Sequence, residues 1–367
     1  MAIQGAFTLN PNEIFASLAN MIISQEVFAD NLGKHQTLVD KARVDGSLYG
    51  DKKLYYATDV LESHAWGCAY GNEQAEASNL LALDRPSDPE VQAITLDIFR
   101  QIRLTVDNYL TKRAWSSEGA FSSFNSVMLG WMRETKRVYD GTLYNVFIGT
   151  NESSVGAQEQ TVLSKDEQTP EGEAKVIAEK IANILVEMGD YNRDYNDYGF
   201  LRSYGEDAIK VIWNSKFVNK IRKVDLPAIF HKEGLVDKFD EEVLPARYFG
   251  TKNAAKVTAA NNDGSYRSVI EKTYTKSNVE YHVFPGDLIP SAVEIAAGEG
   301  YAVDADIICK IVVKLPPFMS AFEVGTSFFN PRSLTENHYL TFGHNTLVAL
   351  KNYPFVTLRA AATQGGN

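Results

Sequence analysis

Residues 208–223 read AIKVIWNSKFVNKIRK. The run from Ile209 to Trp213 is short and apolar, the length of a buried strand. Asn214 and Ser215 supply a turn, and Phe217, Val218 and Ile221 then recur at helical spacing. Just upstream, Val176, Ile177, Ile181, Ile184, Leu185 and Met188 mark an amphipathic helix. A helix followed by a strand that turns into another helix predicts an α+β body.

Working outward, residues 116–148 carry the strongest helical signal in the chain. Ser116 and Ser117 offer N-caps, and Glu118 sits where the helix dipole favours a carboxylate. Phe121, Phe124, Met128, Trp131, Thr135 and Val138 step by three or four down one side, so Trp131 is expected to be buried against the body's sheet. Thirty or so residues make a rod of about 45 Å, with Gly130 and Gly141 inside it and Gly149 placed to stop it. Residues 150–172 read as a polar loop. In residues 52–112, LYYATDVL predicts a strand, and Ile94, Leu96, Ile98, Ile102, Leu104 and Val106 alternate at the period of two of half-buried strands. The polar stretch between them, with Pro86 and Pro89, suits a long loop or hairpin tip.

Residues 1–50 look like an arm. An amphipathic helix is expected within 12–31, carrying Ile14, Phe15, Leu18, Ile22, Val27 and Phe28. It either packs on its own domain, which the pattern favours, or reaches another subunit. Downstream, residues 251–308 change to small strands with Gly and Pro turns, including NNDG at 261–264. Few large apolar residues precede Val283, so this stretch is expected to lean on the main body. The remainder, through HYLTFGHNTLVALKNYPFVTL, is strand-rich. There is no internal repeat.

The 367-residue chain is 44% hydrophobic and 23% charged, a globular composition. Its 36 Lys+Arg and 47 Asp+Glu leave a net charge of −11, the wrong sign for gripping nucleic acid. The two cysteines, Cys68 and Cys309, exclude a disulfide framework and fit a reducing compartment. No apolar run reaches the roughly 18 residues of a membrane helix, and MAIQGAFTLNPNEIF does not read as a signal peptide. These features lead to the expectation of a soluble, cytosolically made protein.

Candidate chemistry is sparse. The histidines His35, His64, His231, His282, His338 and His344 show no metal-ligand spacing. His338 and His344 would lie about 20 Å apart along a strand. DYNRDYNDYGFL at 190–201 resembles the start of a calcium loop through Asp190, Asn192, Asp194, Asn196 and Asp197, but Tyr195 and Leu201 stand where Gly and Glu are required. The reading is a helix-terminating loop in which Tyr191, Tyr195 and Tyr198 pack on neighbours. No Gly-rich phosphate loop or GxSxG elbow occurs. Cys68, four residues from His64, is a conceivable thiol–imidazole pair without a supporting pocket. Glu241 and Glu242 read as a solvated face. Arg133, Lys136 and Arg137 on the long helix are the one basic cluster, solvated or in contact with a polyanion. No catalytic, cofactor-binding or metal residue is assigned and no enzyme is expected.

The order of these elements resembles the major capsid proteins of tailed bacteriophages, the Hong Kong 97 type. Phe147, Ile148 and Gly149 in YNVFIGT look like the end of that family's spine helix. AIKVIWNSKFVNKIRK looks like its hydrophobic strand, Asn-Pro turn and helix, with Ser215 where proline is common. Leu347, Leu350, Pro354, Phe355, Val356 and Leu358 resemble its closing strands. The resemblance implies an arm (1–50), an extended hairpin with flanking strands (51–112), a peripheral domain with the spine helix (113–170, completed by 335–360) and an axial domain (171–334) bearing a β-rich insertion (251–305). It implies a shell subunit of hexamers and pentamers enclosing a phage genome. A separate scaffolding protein is expected, since only about fifty residues precede the hairpin, with a portal and weak, non-specific DNA contact. The insertion would face outward and could bear a decoration protein. The location would be the virion, after assembly in the bacterial cytoplasm. An encapsulin-like nanocompartment is the alternative of the same fold, and an enzyme using Cys68 and His64 the alternative of another class.

Overall fold

The computed structural model describes residues 38–45, 53–61, 63, 88–107, 118–150, 158–196, 198–221, 240–252, 264–345 and 355–362. Helix α1 (Leu38–Ala42) and strand β1 (Arg43–Asp45) come first, then β2 (Lys53–Ala57), β3 (Glu90–Ile94), β4 (Leu96–Asp107) and the 33-residue helix α2 (Glu118–Thr150). β5 (Glu159–Val162) leads to α3 (Pro170–Gly189), β6 (Lys210–Asn214) and α4 (Ser215–Ile221). β7 (Asp240–Leu244), β8 (Gly250–Lys252), β9 (Arg267–Ser268), β10 (Lys272–Lys276), β11 (Val279–Val283) and β12 (Gly300–Val303) follow. The described chain ends with β13 (Ile307–Val312), β14 (Phe318–Asn330), β15 (Thr335–Asn345) and β16 (Phe355–Ala360).

The central sheet has five strands in the order β5-β16-β13-β6-β7. β13 pairs antiparallel with β16 and β6, while β7 and β5 join parallel at the two edges. Both faces are covered. Val211, Trp213, Ile311, Val356 and Leu358 pack with Ile177, Ile181, Ile184 and Met188 of α3. Ile212, Val312 and Phe355 turn the other way, onto Tyr144, Phe147 and Ile148 of α2. Strands buried on both faces read as continuous apolar runs, which is why KVIWN and IICKIV do not alternate.

The step from β6 to α4 is immediate, because Asn214 ends the strand and caps the helix together. Its Oδ1 accepts from the Lys216 amide at 3.1 Å and its Nδ2 donates to the Ile307 carbonyl at 2.9 Å. Residues 158–172, expected to be loop, instead contain β5 and the start of α3. The four-residue β5 buries only Val162 deeply, too little for a visible pattern. The start of α3 is marked by Thr169, whose side chain accepts from Gly172, by Pro170 in the first turn and by Glu171 and Glu173.

A second sheet runs β1-β14-β15-β4, and the expected alternation is present along β4. The inward position between Ile98 and Ile102 belongs to Arg100, which lies over the Tyr139 ring at 5.1 Å. Met132 and Tyr139 of α2 pack against Leu340, Phe342, Ile102 and Leu104 of this sheet. One helix thus serves both sheets, its middle on this one and its C-terminal turns on the central one.

The buried face of α2 is not the expected one. Trp131 is 36% exposed and Val138 43%, while Met132 is 5% exposed and Tyr139 4%. The side chains of Phe121, Phe124 and Met128 lie outside the described residues. The displacement comes from Lys136 and Asp140, which are buried on the true face and which a count of apolar residues assigns to solvent. Nor does Gly149 stop the helix, which continues through Thr150. A Cβ there would stand 2.0 Å from the Tyr248 carbonyl oxygen, so the glycine permits the close crossing of residues 246–248.

Residues 264–303 are β-rich as expected, in the sheet β8-β12-β9 and the hairpin β10-β11. They form a small core of their own from Tyr274, Val283, Ile289, Val293 and Ile295, supplied mostly after Val283. They also lean on the body: Phe284 packs with Tyr139 and Met132, and Tyr301 packs with Val146. Of the NNDG turn, only Gly264, at φ +71°, is among the described residues.

Met132→Ala should therefore cost about 2–5 kcal/mol of stability, and Trp131→Ala less than about 1 kcal/mol in the isolated subunit. Denaturant unfolding of the two variants checks this order; a larger loss for Trp131→Ala would place the core on the other face of α2.

Candidate functional site

The sequence-derived candidates for chemistry do not come together. Cys68, His64, His35 and His231 lie outside the described residues. Cys309 is buried in β13, and burial pushes its thiol up, away from the reactive thiolate. His282 pairs with Glu271 at 2.9 Å, and His338 approaches Glu336 at 3.9 Å. Among the described residues, no three His, Cys, Asp or Glu side chains are grouped to hold a metal.

His344 is a structural histidine. Its Nδ1 faces the Asn345 carbonyl at 3.0 Å, so that nitrogen carries the proton; Nε2 then accepts from the Tyr139 hydroxyl at 2.9 Å. Its ring stacks on Phe318 at 5.5 Å. Burial holds its pKa below the ordinary histidine value.

The basic cluster dissolves in the fold. Lys136 is buried, donating to Asp140 Oδ2 at 3.0 Å and Ser320 Oγ at 3.1 Å and lying 5.3 Å from the centre of the Phe342 ring. Arg137 approaches Asp40 at 4.0 Å. Only Arg133 stays exposed, so the three do not form a patch for a polyanion. Asp140 also receives Arg43 at 3.3 Å, which welds the segment 38–45 to α2. Leu38, Val39 and Ala42 are buried beside it, and β1 pairs parallel with β14. This part of the expected arm packs on its own body; residues 1–37 and 46–50 lie outside the described ones.

The calcium-like loop uses its polar side chains on backbone. Asn192 Nδ2 donates to the Glu187 and Asp190 carbonyls at 2.7 and 3.0 Å. Asn196 accepts from the Phe200 amide at 2.9 Å and donates to its carbonyl at 2.7 Å. Tyr195 is buried and Tyr198 stacks on Phe200, but Tyr191 is exposed. The loop receives the strand end after β2. Asp59 accepts from Arg193 at 2.6 Å and from the Leu201 amide at 3.0 Å, and Arg202 donates to the Thr58 carbonyl. The Arg193 hydrogen bond, followed by that of Leu201, holds the Asp59 carboxyl down to about 2. No sequence rule links residue 59 to residue 193; only the tertiary fold brings them together.

What the surface offers beyond this is strand edge and exposed apolar side chains. The outer edge of β4, and that of β14 beyond Ser320, pair with no other strand among the described residues. At the far end of the β14–β15 hairpin, Phe328 is 60% and Phe329 47% exposed, with Leu334 beside the turn. Long open edges and apolar ends are templates for association, which monomeric proteins normally blunt.

No known protein family matches this sequence, and no curated protein does. Solved structures do. A chain in the capsid structure of Staphylococcus phage Andhra aligns over 84% of this chain and 80% of its own, at 11% identity and a TM-score of 0.54. A chain in the structure of the head fiber and inner core protein gp22 of native bacteriophage P68 aligns over 88% and 84%, at 9% identity and a TM-score of 0.55. This chain has a phage capsid fold. The likeness spans most of the chain, and at these identities it is a likeness of fold.

Two titrations separate in pH. The unfolded chain protonates a histidine near pH 6.5 while buried His344 resists, so its contribution to stability is complete above that pH and declines below it. The depressed Asp59 contributes fully above about pH 4 and loses that contribution as pH falls towards 2. Melting temperatures from pH 8 to 3 should decline below about 6.5 in both wild type and Asp59→Asn. The added loss below about pH 4 should be smaller in Asp59→Asn; parallel curves there would mean that the clamp is not formed.

Proposed function

We propose that this chain is a structural subunit that assembles with copies of itself into the icosahedral shell of a tailed-phage head, of the Hong Kong 97 type. The observation that carries the reading is the fold-wide match to phage capsid and head chains, together with open edges and exposed aromatic side chains at the extremities of the same fold. Helix α2 takes the role of the spine helix, β2–β3 the base of the extended hairpin, and residues 251–305 that of an insertion on the axial domain. The domain limits proposed from the sequence (1–50, 51–112, 113–170 with 335–360, and 171–334) are kept in this reading. The subunit acts by packing rather than by catalysis, without cofactor.

Physical chemistry supports the rest of the scheme. Hexamers and pentamers would cover the open edges that a monomer leaves to solvent. A net charge of −11 suits an inner wall that must not hold packaged DNA, since basic surfaces adhere through counterion release. A separate scaffolding protein and a portal would direct closure, and an outward insertion would be the place for a decoration protein. The shell would be built in the bacterial cytoplasm and reside in the virion.

Purified protein, with lysate or scaffold if required, is expected to give closed shells by electron microscopy, with nucleic acid as their content in particles from infected cells. A species that stays monomeric or dimeric at every concentration and salt would overturn the reading, and shells filled only with a protein cargo would favour a nanocompartment. In intact shells, limited proteolysis should cut first between residues 251 and 277. Protection there with cutting inside α2 would overturn the placement of the insertion.

A further inference from the structure

The ladder of β2 and β3 has five residue pairs, from Lys53 opposite Ile94 to Ala57 opposite Glu90. A two-stranded ribbon of this size does not hold itself in place. Its near end is fixed by Ile94, buried among Tyr144, Phe147 and Phe318. Its far end, about 17 Å away at the usual rise, is fixed by Thr58 and Asp59 on the loop after α3.

That loop is built as a receptor. Asn192 and Arg202 exchange backbone hydrogen bonds at 3.0 and 2.9 Å, the Asn196 side chain closes on Phe200, and Gly199 takes φ +66°. Arg193 is held by the Gly199 carbonyl at 2.7 Å while it donates to Asp59. Arg202 lies over the Phe200 ring at 5.7 Å while it donates to the Thr58 carbonyl. Asp59 also accepts from the Val60 amide at 2.9 Å, which sets the backbone just where the chain departs. Beyond it, Val60 and Leu61 are exposed. A surface ion pair adds little to stability, so this number of converging donors acts chiefly on direction.

We propose that Asp59 is a positioning residue that fixes the direction in which the β2–β3 hairpin leaves the body, and that this direction is required for shell formation. The second half rests on the shell reading above; the first does not. A hairpin free to swing about Ile94 alone would meet a neighbouring subunit over a wide range of angles, and the ordering it would then need opposes assembly.

The test compares wild type, Asp59→Ala and Arg193→Ala in three measurements. In unassembled subunits the Leu201 amide should exchange at least about tenfold faster in both variants, with core amides of β13 unchanged; unchanged Leu201 exchange overturns the clamp. Spin labels at Leu61→Cys and Glu179→Cys, in a Cys68→Ser background, should give a narrow distance distribution in wild type and a broad one in the variants. Equal widths overturn the positioning role whether or not shells form. Shell yield should fall several-fold, or particle sizes should scatter, in both variants. Variants with a released Leu201 amide that still give wild-type yield and size overturn the link to assembly. Wild type that forms no shell refutes the shell reading and that link with it, and the distance widths then decide the positioning role alone. Should Asp59→Ala not fold, Arg193→Ala removes the donor without touching the strand and carries the same outcomes.

Discussion

The structure depends on a sheet that has no face to spare for solvent. All six residues of β13 are buried, and it sits in the middle of five strands with α3 on one side and α2 on the other. An antiparallel pair can keep one wet face and alternate; this one cannot. The chain must therefore bring two helical layers, far apart in sequence, onto the same three central strands. Once α2 is committed to that sheet by Tyr144, Phe147 and Ile148, the middle of the helix needs a different partner. The second sheet, β1-β14-β15-β4, supplies it by packing on Met132 and Tyr139.

The same commitment explains where polar groups are buried. Pro316 and Pro317 lie in the connection from β13 to β14 and bring carbonyls without amides. Tyr144 donates to the first at 2.8 Å and Asn345 to the second at 3.1 Å. Asn345 also accepts from the Met319 amide at 2.9 Å. Lys136 and Asp140 form a buried pair that would be costly if either lost its partner, and Ser320 and Arg43 add one further bond to each. The crossing between the two sheets is thus specified by directional contacts, which fix one register of α2 where apolar packing alone would allow its neighbours.

Much of this was legible in the sequence where one local rule governed. The run KVIWN with Asn214 announced strand and cap together, and β4 alternated on either side of Arg100. Reading failed where the deciding partner was remote. The face of α2 was misjudged by about one residue, because Lys136 and Asp140 count as solvent residues until Ser320 and Arg43 are placed beside them. Gly149 looked like a terminator, since the Tyr248 carbonyl that demands a missing Cβ lies a hundred residues on. The 190–201 segment was legible as the loop that ends α3, but its actual guest, Asp59, is invisible to any spacing rule.

The distal half of the β14–β15 hairpin follows from the opposite constraint. Beyond Gly325 its strands bury almost nothing, so they are held by their own ladder and by β4, through pairs such as Thr105 with Asn337 at 2.7 Å. Cross-strand pairs of this kind contribute roughly 0.2–1 kcal/mol each, enough for register and too little to compensate for leaving Phe328 and Phe329 in water. In the proposed shell the exposed rings of Phe328 and Phe329 are surface that a neighbouring subunit would cover, whereas the doubly buried β13 is completed within the subunit itself.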